Sequence, residues 1–169
     1  MRKKKNHHFE TKVIHAGQKS DPTTGAVMTP IVLASTFEQS SPGVHKGYDY
    51  SRSINPTREA FENCIADLEN GYKGYGFSSG VAAISACVEL LSPGDHIIAM
   101  DDLYGGSVRL FNEIKSLSQG IEISYVDMTD TNNIKNAIKA STKMIFVETP
   151  TNPLLKIADL SKIAKLAKK

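Results

Sequence analysis

Ser92-Pro93-Gly94-Asp95-His96-Ile97-Ile98-Ala99-Met100-Asp101-Asp102-Leu103-Tyr104-Gly105-Gly106 is the stretch on which the fold turns. Its first four residues have the composition of a tight turn. The next five, His96 to Met100, form a short apolar run of the kind that makes a strand buried on both faces. Two aspartates, a tyrosine and a glycine pair then lead into a helix expected over residues 107–117, with Leu110, Phe111, Ile114 and Leu117 on one side and Gly120 as its stop. A strand of about five residues followed by a helix of about ten or more is the unit from which parallel sheets are built, because parallel neighbours need a long crossover.

The same alternation extends in both directions. Toward the carboxyl end, Ile121, Ile123 and Tyr125 alternate as a strand, Asp130 can cap a helix bearing Ile134, Ala137 and Ile138, residues 143–147 read as the next strand, and Leu160, Ile163, Ala164 and Ala167 mark a further helix. Toward the amino end, Asn55 can cap a helix that starts at Pro56. Its apolar side is Phe61, Cys64, Ile65 and Leu68, and Gly71 ends it. Residues 74–77 read as a short strand leading through Ser78-Ser79-Gly80 into residues 81–91, a helix apolar nearly all round and so expected to be buried. The predicted class is α/β, an open and mainly parallel sheet with helices on both faces. Residues 1–48 show no period and are broken by Pro22, Gly25, Pro30, Pro42, Gly43 and Gly47, with one extended candidate over 31–37. They read as an arm that packs on a neighbouring subunit, and residues 49–169 as the domain itself.

Composition narrows the function classes. The 169 residues carry 20 Lys+Arg against 18 Asp+Glu, a formal charge of +2, which gives no electrostatic case for a nucleic-acid partner. No run approaches the roughly 18 to 20 apolar residues of a membrane span. The basic start Met1-Arg2-Lys3-Lys4-Lys5 runs into Asn6-His7-His8 rather than an apolar signal region, so a cytoplasmic protein is expected. Cys64 and Cys87 each sit in an apolar helical pattern and are read as core residues. The five histidines lack metal-ligand spacing, so no metal is predicted.

In an open α/β sheet, ligands collect where strand carboxyl ends meet helix amino ends. The segments to search are therefore residues 77–81, 100–107 and 148–154. Ser78-Ser79-Gly80-Val81 can serve either as a serine cap or as a phosphate cradle, since the first amides of a helix lack intrahelical acceptors. Gly74, Gly76 and Gly80, with Asp101 and Asp102 about twenty residues on, also make a loose dinucleotide pattern, and so leave a non-catalytic phosphate- or dinucleotide-binding module as an alternative. Tyr104 on its glycine hinge can stack on a flat ring or be an ordinary turn residue. Glu148-Thr149-Pro150-Thr151-Asn152-Pro153 is a stiff polar loop at a strand end. Tyr48-Asp49-Tyr50-Ser51-Arg52-Ser53 groups tyrosine hydroxyls with a guanidinium, a combination suited to phosphate.

Together, His15-Ala16-Gly17, the run from Tyr50 through Arg52 to Asn55-Pro56-Thr57, Ser78-Ser79-Gly80, residues 101–106 and residues 148–153 resemble the pyridoxal 5'-phosphate (PLP) enzymes of cysteine and methionine metabolism. That family includes cystathionine gamma-lyase, cystathionine gamma-synthase, and their beta-lyase and methionine gamma-lyase relatives. The resemblance implies a PLP-dependent transferase fold, the aspartate-aminotransferase-like large domain, present only in its amino-terminal part. It implies that Ser79, Gly80 and Val81 hold the cofactor phosphate, and that Tyr50 and Arg52 reach the phosphate of a neighbouring subunit, Tyr50 also meeting substrate. Tyr104 would stack on the pyridine ring and take part in proton movement. Asn152, near the ring hydroxyl and the substrate carboxylate, and Glu148 beside it complete the implied set. The implied assembly is a homo-oligomer, a dimer of dimers with shared sites, acting on a small sulfur amino acid and on neither nucleic acid nor membrane.

Gly105-Gly106 is more like the cystathionine enzymes than the methionine gamma-lyases, which carry a cysteine at the second position. The expected reaction is elimination or replacement at the γ-carbon, with cysteine released from cystathionine by a gamma-lyase, and with cystathionine gamma-synthase or beta-lyase as alternatives. Ala140-Ser141-Thr142-Lys143 mimics the family's cofactor-attaching lysine segment, but it opens the strand that leads to Glu148. Lys143 is therefore read as a strand-edge lysine. The attaching lysine, the aspartate on the ring nitrogen and the arginine for the substrate carboxylate are expected beyond Lys169, and the 169 residues alone are expected to be inactive.

Overall fold

In a computed structural model that describes residues 7–168, the chain forms two units, one ending at Gly76 and the other beginning at Phe77. The first unit starts with α1 (Phe9–His15), continues through an antiparallel hairpin of β1 (Gln39–Ser41) and β2 (Val44–His45), and ends on α2 (Pro56–Leu68). The irregular composition of residues 1–48 predicts neither α1 nor the hairpin. α1 is seven residues long, has no side-chain cap, and leaves Phe9, Val13 and Ile14 exposed, so neither a capping signal nor a buried stripe marks it. The extended segment expected over residues 31–37 makes a single bridge, Thr36 to Tyr50, instead of a strand.

The arm is fastened to the start of α2. Asn55 Oδ1 accepts from Thr57 N (2.9 Å), as a cap should, while Asn55 Nδ2 donates to Val32 O (3.0 Å). Thr57 Oγ1 donates to Pro30 O (2.8 Å) and accepts from Val32 N (2.9 Å). Gly17 brings the arm against the middle of the helix: its φ is +73°, and a Cβ there would stand 2.2 Å from Ala60 O. This close approach decides which side of α2 is covered. Ala66 is its buried residue, whereas Phe61 and Ile65, expected to face inward, are 60% and 42% exposed, and Cys64 is only half-buried. The helix was legible from its period; the covered flank was not, because backbone and glycine cover it.

Residues 74–77, expected as a strand, belong to no ladder. A Cβ on Gly74 would lie 2.3 Å from Glu62 O, and Gly76 N donates to Glu62 Oε1 (2.8 Å). α2, rather than a neighbouring strand, holds this segment.

The second unit contains α3 (Gly80–Val88), β3 (His96–Met100), α4 (Gly105–Arg109), a π-helical stretch Leu110–Lys115, α5 (Ser116–Gln119), β4 (Glu122–Val126), α6 (Thr131–Ala137), β5 (Thr142–Phe146) and α7 (Leu160–Ala167). The sheet is parallel with β3 at its centre, flanked by β4 and β5, and all five β3 residues are buried. The chain moves from β3 outward to β4 and then back across to β5. With the right-handed sense that parallel crossovers take, these opposite excursions put helices on both faces. Since β3 and β5 are neighbours, the loops leaving their carboxyl ends lie side by side.

His96 begins β3 fully buried, its Nδ1 2.8 Å from Thr142 Oγ1 and its Nε2 2.9 Å from Ser124 Oγ. Burial, and to a lesser degree Lys139, lowers its pKa. Phe111 meets Phe146 edge-on at 5.1 Å within the core. The expected helix over 107–117 is present, but its π stretch shifts the phase. Leu110, Phe111 and Lys115 are buried, while Ile114 and Leu117, expected on the same side, are exposed. Lys115 buries its stem and donates through Nζ to Glu89, whose pKa it lowers. α3 is also less covered than its composition predicts: only Val88 is buried, and Cys87, expected in the core, is exposed. It packs against α4 and the π stretch, consecutive parts of one helical run, and its Val81 and Ile84 lie against the core cluster.

Candidate functional site

Ser79 caps α3. Its Oγ accepts from Ala82 N and its carbonyl oxygen from Ala83 N, both at 3.1 Å. That leaves the amides of Gly80 and Val81 without protein acceptors among the described residues. Gly80 is exposed and Val81 half-buried, a Cβ built on Gly80 would meet nothing within 4 Å, and no acidic residue stands in the first helical turn. The two readings of the serine segment are therefore compatible: the hydroxyl completes the cap, and two amides at the positive end of the helix dipole remain for an anion.

Tyr104 precedes α4, half-exposed, with its backbone N–H donated to Glu148 Oε2 (3.2 Å). Its ring lies over Gly106, where a Cβ would fall 2.4 Å from Tyr104 Cε1, so the second glycine is what lets the ring rest there. Ser107, one residue on, is fully buried with its hydroxyl unpartnered among the described residues. On the adjacent loop, Asn152 is exposed between Thr151 and Pro153. The buried carboxylate of Asp102 accepts from Thr151 Oγ1 and from Leu154 N (2.9 Å). Toward solvent, Lys156 Nζ reaches Asp101 Oδ2 (2.8 Å) and Asp127 Oδ2 (2.9 Å). Hydrogen bonding from the Thr129 side chain, and then from Lys156, holds the Asp127 carboxyl down at about 2.

In the first unit the Arg52 guanidinium sits 5.0 Å from the centre of the Tyr50 ring. Tyr48 is not part of a free pair of hydroxyls: its OH donates to Glu59 Oε2 (2.6 Å), which raises its pKa. Beneath this loop, Arg58 donates through Nη1 to Ser51 O (3.0 Å) and through Nη2 to Ser53 O (2.8 Å) and Arg52 O (3.5 Å). Its Nε lies 3.2 Å from Glu62 Oε1, the atom that also holds Gly76 N.

The described contacts bring Tyr104, Glu148 and the loop bearing Asn152 together in one unit, and Tyr50 with Arg52 in the other. The sequence reading did not single out Asp102 as a partner of Thr151, or Arg58 as a backbone clamp. An acidic residue just past a strand end, and an Arg58/Glu62 pair at helical i, i+4 spacing, were the available signals. The dinucleotide pattern loses its basis. Gly74 and Gly76 serve contacts with α2, Asp101 is ion-paired to Lys156, and Asp102 is engaged by Thr151 and Leu154. Lys143 is exposed at an irregularity of β5, where His96 aligns with Thr142 and Ile97 with Met144. A cavity of about 420 Å³ between α1 and α2, lined by Lys12, His15, Asp67 and Tyr72 among others, contains none of the predicted site residues.

The chain is 60% identical over 164 residues to a cystathionine beta-lyase of Coxiella burnetii, and 47% identical over 165 residues to a cystathionine gamma-lyase of Dictyostelium discoideum. Each alignment takes in 97% of this chain, and the chain spans 42% of the length of either relative. It matches the crystal structure of cystathionine gamma-lyase from Lactobacillus plantarum complexed with L-serine at a TM-score of 0.90 and 48% identity, over 96% of this chain and 42% of that one. Residues 10–169 match the family described as Cys/Met metabolism PLP-dependent enzyme, and the chain belongs to that family.

Proposed function

We propose that this chain supplies the phosphate-binding, ring-facing and substrate-orienting groups of a PLP-dependent carbon–sulfur lyase that cleaves cystathionine at its γ-carbon. The observation that carries the reading is the pair of unpartnered amides at Gly80 and Val81, opening a nine-residue helix with no acidic residue in its first turn. A dianionic phosphate suits that donor set. When bound, PLP supplies the electron-accepting ring that makes protons next to the amino-acid nitrogen labile. Ser79, Gly80 and Val81 hold the phosphate. Tyr104 offers its ring face to the cofactor and its hydroxyl to a moving proton, while Asn152 orients the ring hydroxyl and the substrate carboxylate. Glu148 lies close by, tied to the Tyr104 backbone and on the substrate side of the same loop.

Tyr50 and Arg52 act on the phosphate of a second subunit in a homo-oligomer built as a dimer of dimers. Residues 1–48 form the arm of that contact, and residues 49–169 the first part of the cofactor-binding domain. The exposed apolar residues Val27, Met28, Ile31 and Leu33, the last 90% exposed, support a role in which another chain covers the arm. A near-neutral charge fits a cytoplasmic enzyme of small molecules with no nucleic-acid or membrane partner.

The test uses the complete gene product with PLP and L-cystathionine. Cysteine, 2-oxobutyrate and ammonia are the expected products, with water consumed. Homocysteine and pyruvate would move the assignment to the beta-lyase reaction, and absence of PLP uptake would refute the reading altogether.

A further inference from the structure

We propose that Asp102 is a positioning residue: through the Thr151 hydroxyl and the Leu154 amide, its buried carboxylate fixes the loop that carries Asn152 against the loop that carries Tyr104. Asp102 lies two residues before Tyr104, and Thr151 immediately before Asn152, so the linkage acts at the roots of both site residues. The polarity of the linkage follows from donor counting. Lys156 N can only donate, and it points at Thr151 Oγ1 (2.8 Å), so the single hydroxyl hydrogen of Thr151 is directed to Asp102. Thr151 N donates to Lys156 O (3.0 Å), and Leu155 N to Thr151 O (3.1 Å). One threonine thus ties residues 155 and 156 through its side chain and its backbone, while Leu154 is held by Asp102 itself. Thr151 is 1% exposed, so nothing in solvent substitutes for a lost partner.

Glu148 supplies the reverse link, accepting the Tyr104 N–H from the other loop. Each loop therefore gives a carboxylate to its neighbour, and Lys156 bridges Asp101 and Asp127 at the rim. The spacing between Tyr104 and Asn152 is set beneath them, by a buried charged group whose hydrogen bonds are stronger than those between neutral partners.

The inference rests on the proposed PLP reading only for what the two residues face. Thr151→Val keeps the volume and removes the hydroxyl; Thr151→Ser keeps the hydroxyl and removes a methyl. In the complete gene product, T151V is expected to speed hydrogen exchange at the Leu154 and Lys156 amides about tenfold, the effect of losing one hydrogen bond to a charged group. It should also alter the circular dichroism of bound PLP, while T151S behaves as the unsubstituted protein in both measurements. Asp102→Asn, which keeps the shape and loses the charge, is expected to follow T151V. Unchanged exchange in T151V, or equal disturbance by T151S, overturns the proposal in favour of a packing role. Hydroxyl-dependent exchange in a protein that takes up no PLP sustains the linkage and refutes the cofactor assignment.

Discussion

Gly106→Ala tests the placement of Tyr104 most directly. The added methyl would start 2.4 Å from Tyr104 Cε1 and 3.1 Å from both Cδ1 and Cζ. Carbon atoms settle at about 3.5 to 4 Å, so the ring must retreat by roughly 1 Å or more. The retreat is inexpensive for the fold. Tyr104 is half-exposed, a displaced rotamer costs about 0.5 to 1.5 kcal/mol, and alanine in a helix gains up to about 1 kcal/mol over glycine. Thermal stability should therefore stay near its starting value. If the ring stacks on PLP, however, the displacement removes an aromatic contact of about 0.5 to 1.5 kcal/mol, or roughly two- to twelvefold in affinity. The assay is a PLP titration by absorbance of unsubstituted and G106A protein, with Tyr104→Ala as the fully truncated reference. Equal affinity in G106A and unsubstituted protein, alongside weakened binding in Y104A, would refute the claim that Gly106 sets the ring position. Equal affinity in all three would remove Tyr104 from the site.

Further outcomes concern Gly17, His96, Asp127 and Lys156. Gly17→Ala should loosen the arm, because a left-handed alanine costs roughly 1 to 2 kcal/mol before its methyl meets Ala60 O. Faster proteolysis within residues 18–54 is the readout. His96→Phe should destabilise the second unit by about 1 kcal/mol for each hydroxyl left without its ring partner, measured by denaturant titration. Because burial lowers the folded-state pKa of His96 from 6.5, the unfolded chain takes up its proton first, and stability should fall as the pH drops below 6.5; H96F should flatten that slope. Asp127 contributes with the opposite kind of group: its depressed carboxyl gives stability present above pH 3.8 and lost as the pH falls toward about 2. Lys156→Met should raise the Asp127 pKa part of the way, since the Thr129 hydrogen bonds remain, and solvent screening at this position keeps the change small. Carboxylate titration by NMR checks it.

The sheet was readable because its strands are short, apolar and separated by helices long enough to force parallel pairing. Asn55, Ser79, Asp130 and Asp159 all cap helices through their side chains, and the first three were legible as such. What stayed hidden depends on partners distant in sequence. Phe61 and Ile65 have the spacing of a core face, yet Gly17 and the backbone beside it decide which flank of α2 is covered. The π stretch advances the buried face from Ile114 to Lys115, and neither residue type signals the change. Gly74 looked like part of a strand because extended backbone has the same local pattern with or without a ladder. At the candidate site, the groups proposed to meet a ligand were legible as motifs. Asp102 and Thr151 were not, because they meet each other across a long sequence separation, and Arg58 was not, because it bonds to backbone carbonyls that no residue type signals.

Within this loop Arg58 grips only carbonyl oxygens, those of Ser51, Arg52 and Ser53. Every residue presents the same carbonyl, so this grip does not depend on which side chains stand at these positions, although the Ser51 hydroxyl is separately bonded to Ala34 O and Asn55 Nδ2. Evolution, or an engineer, is thus free to retune what Arg52 and Ser53 present without having to reinvent how the loop is held.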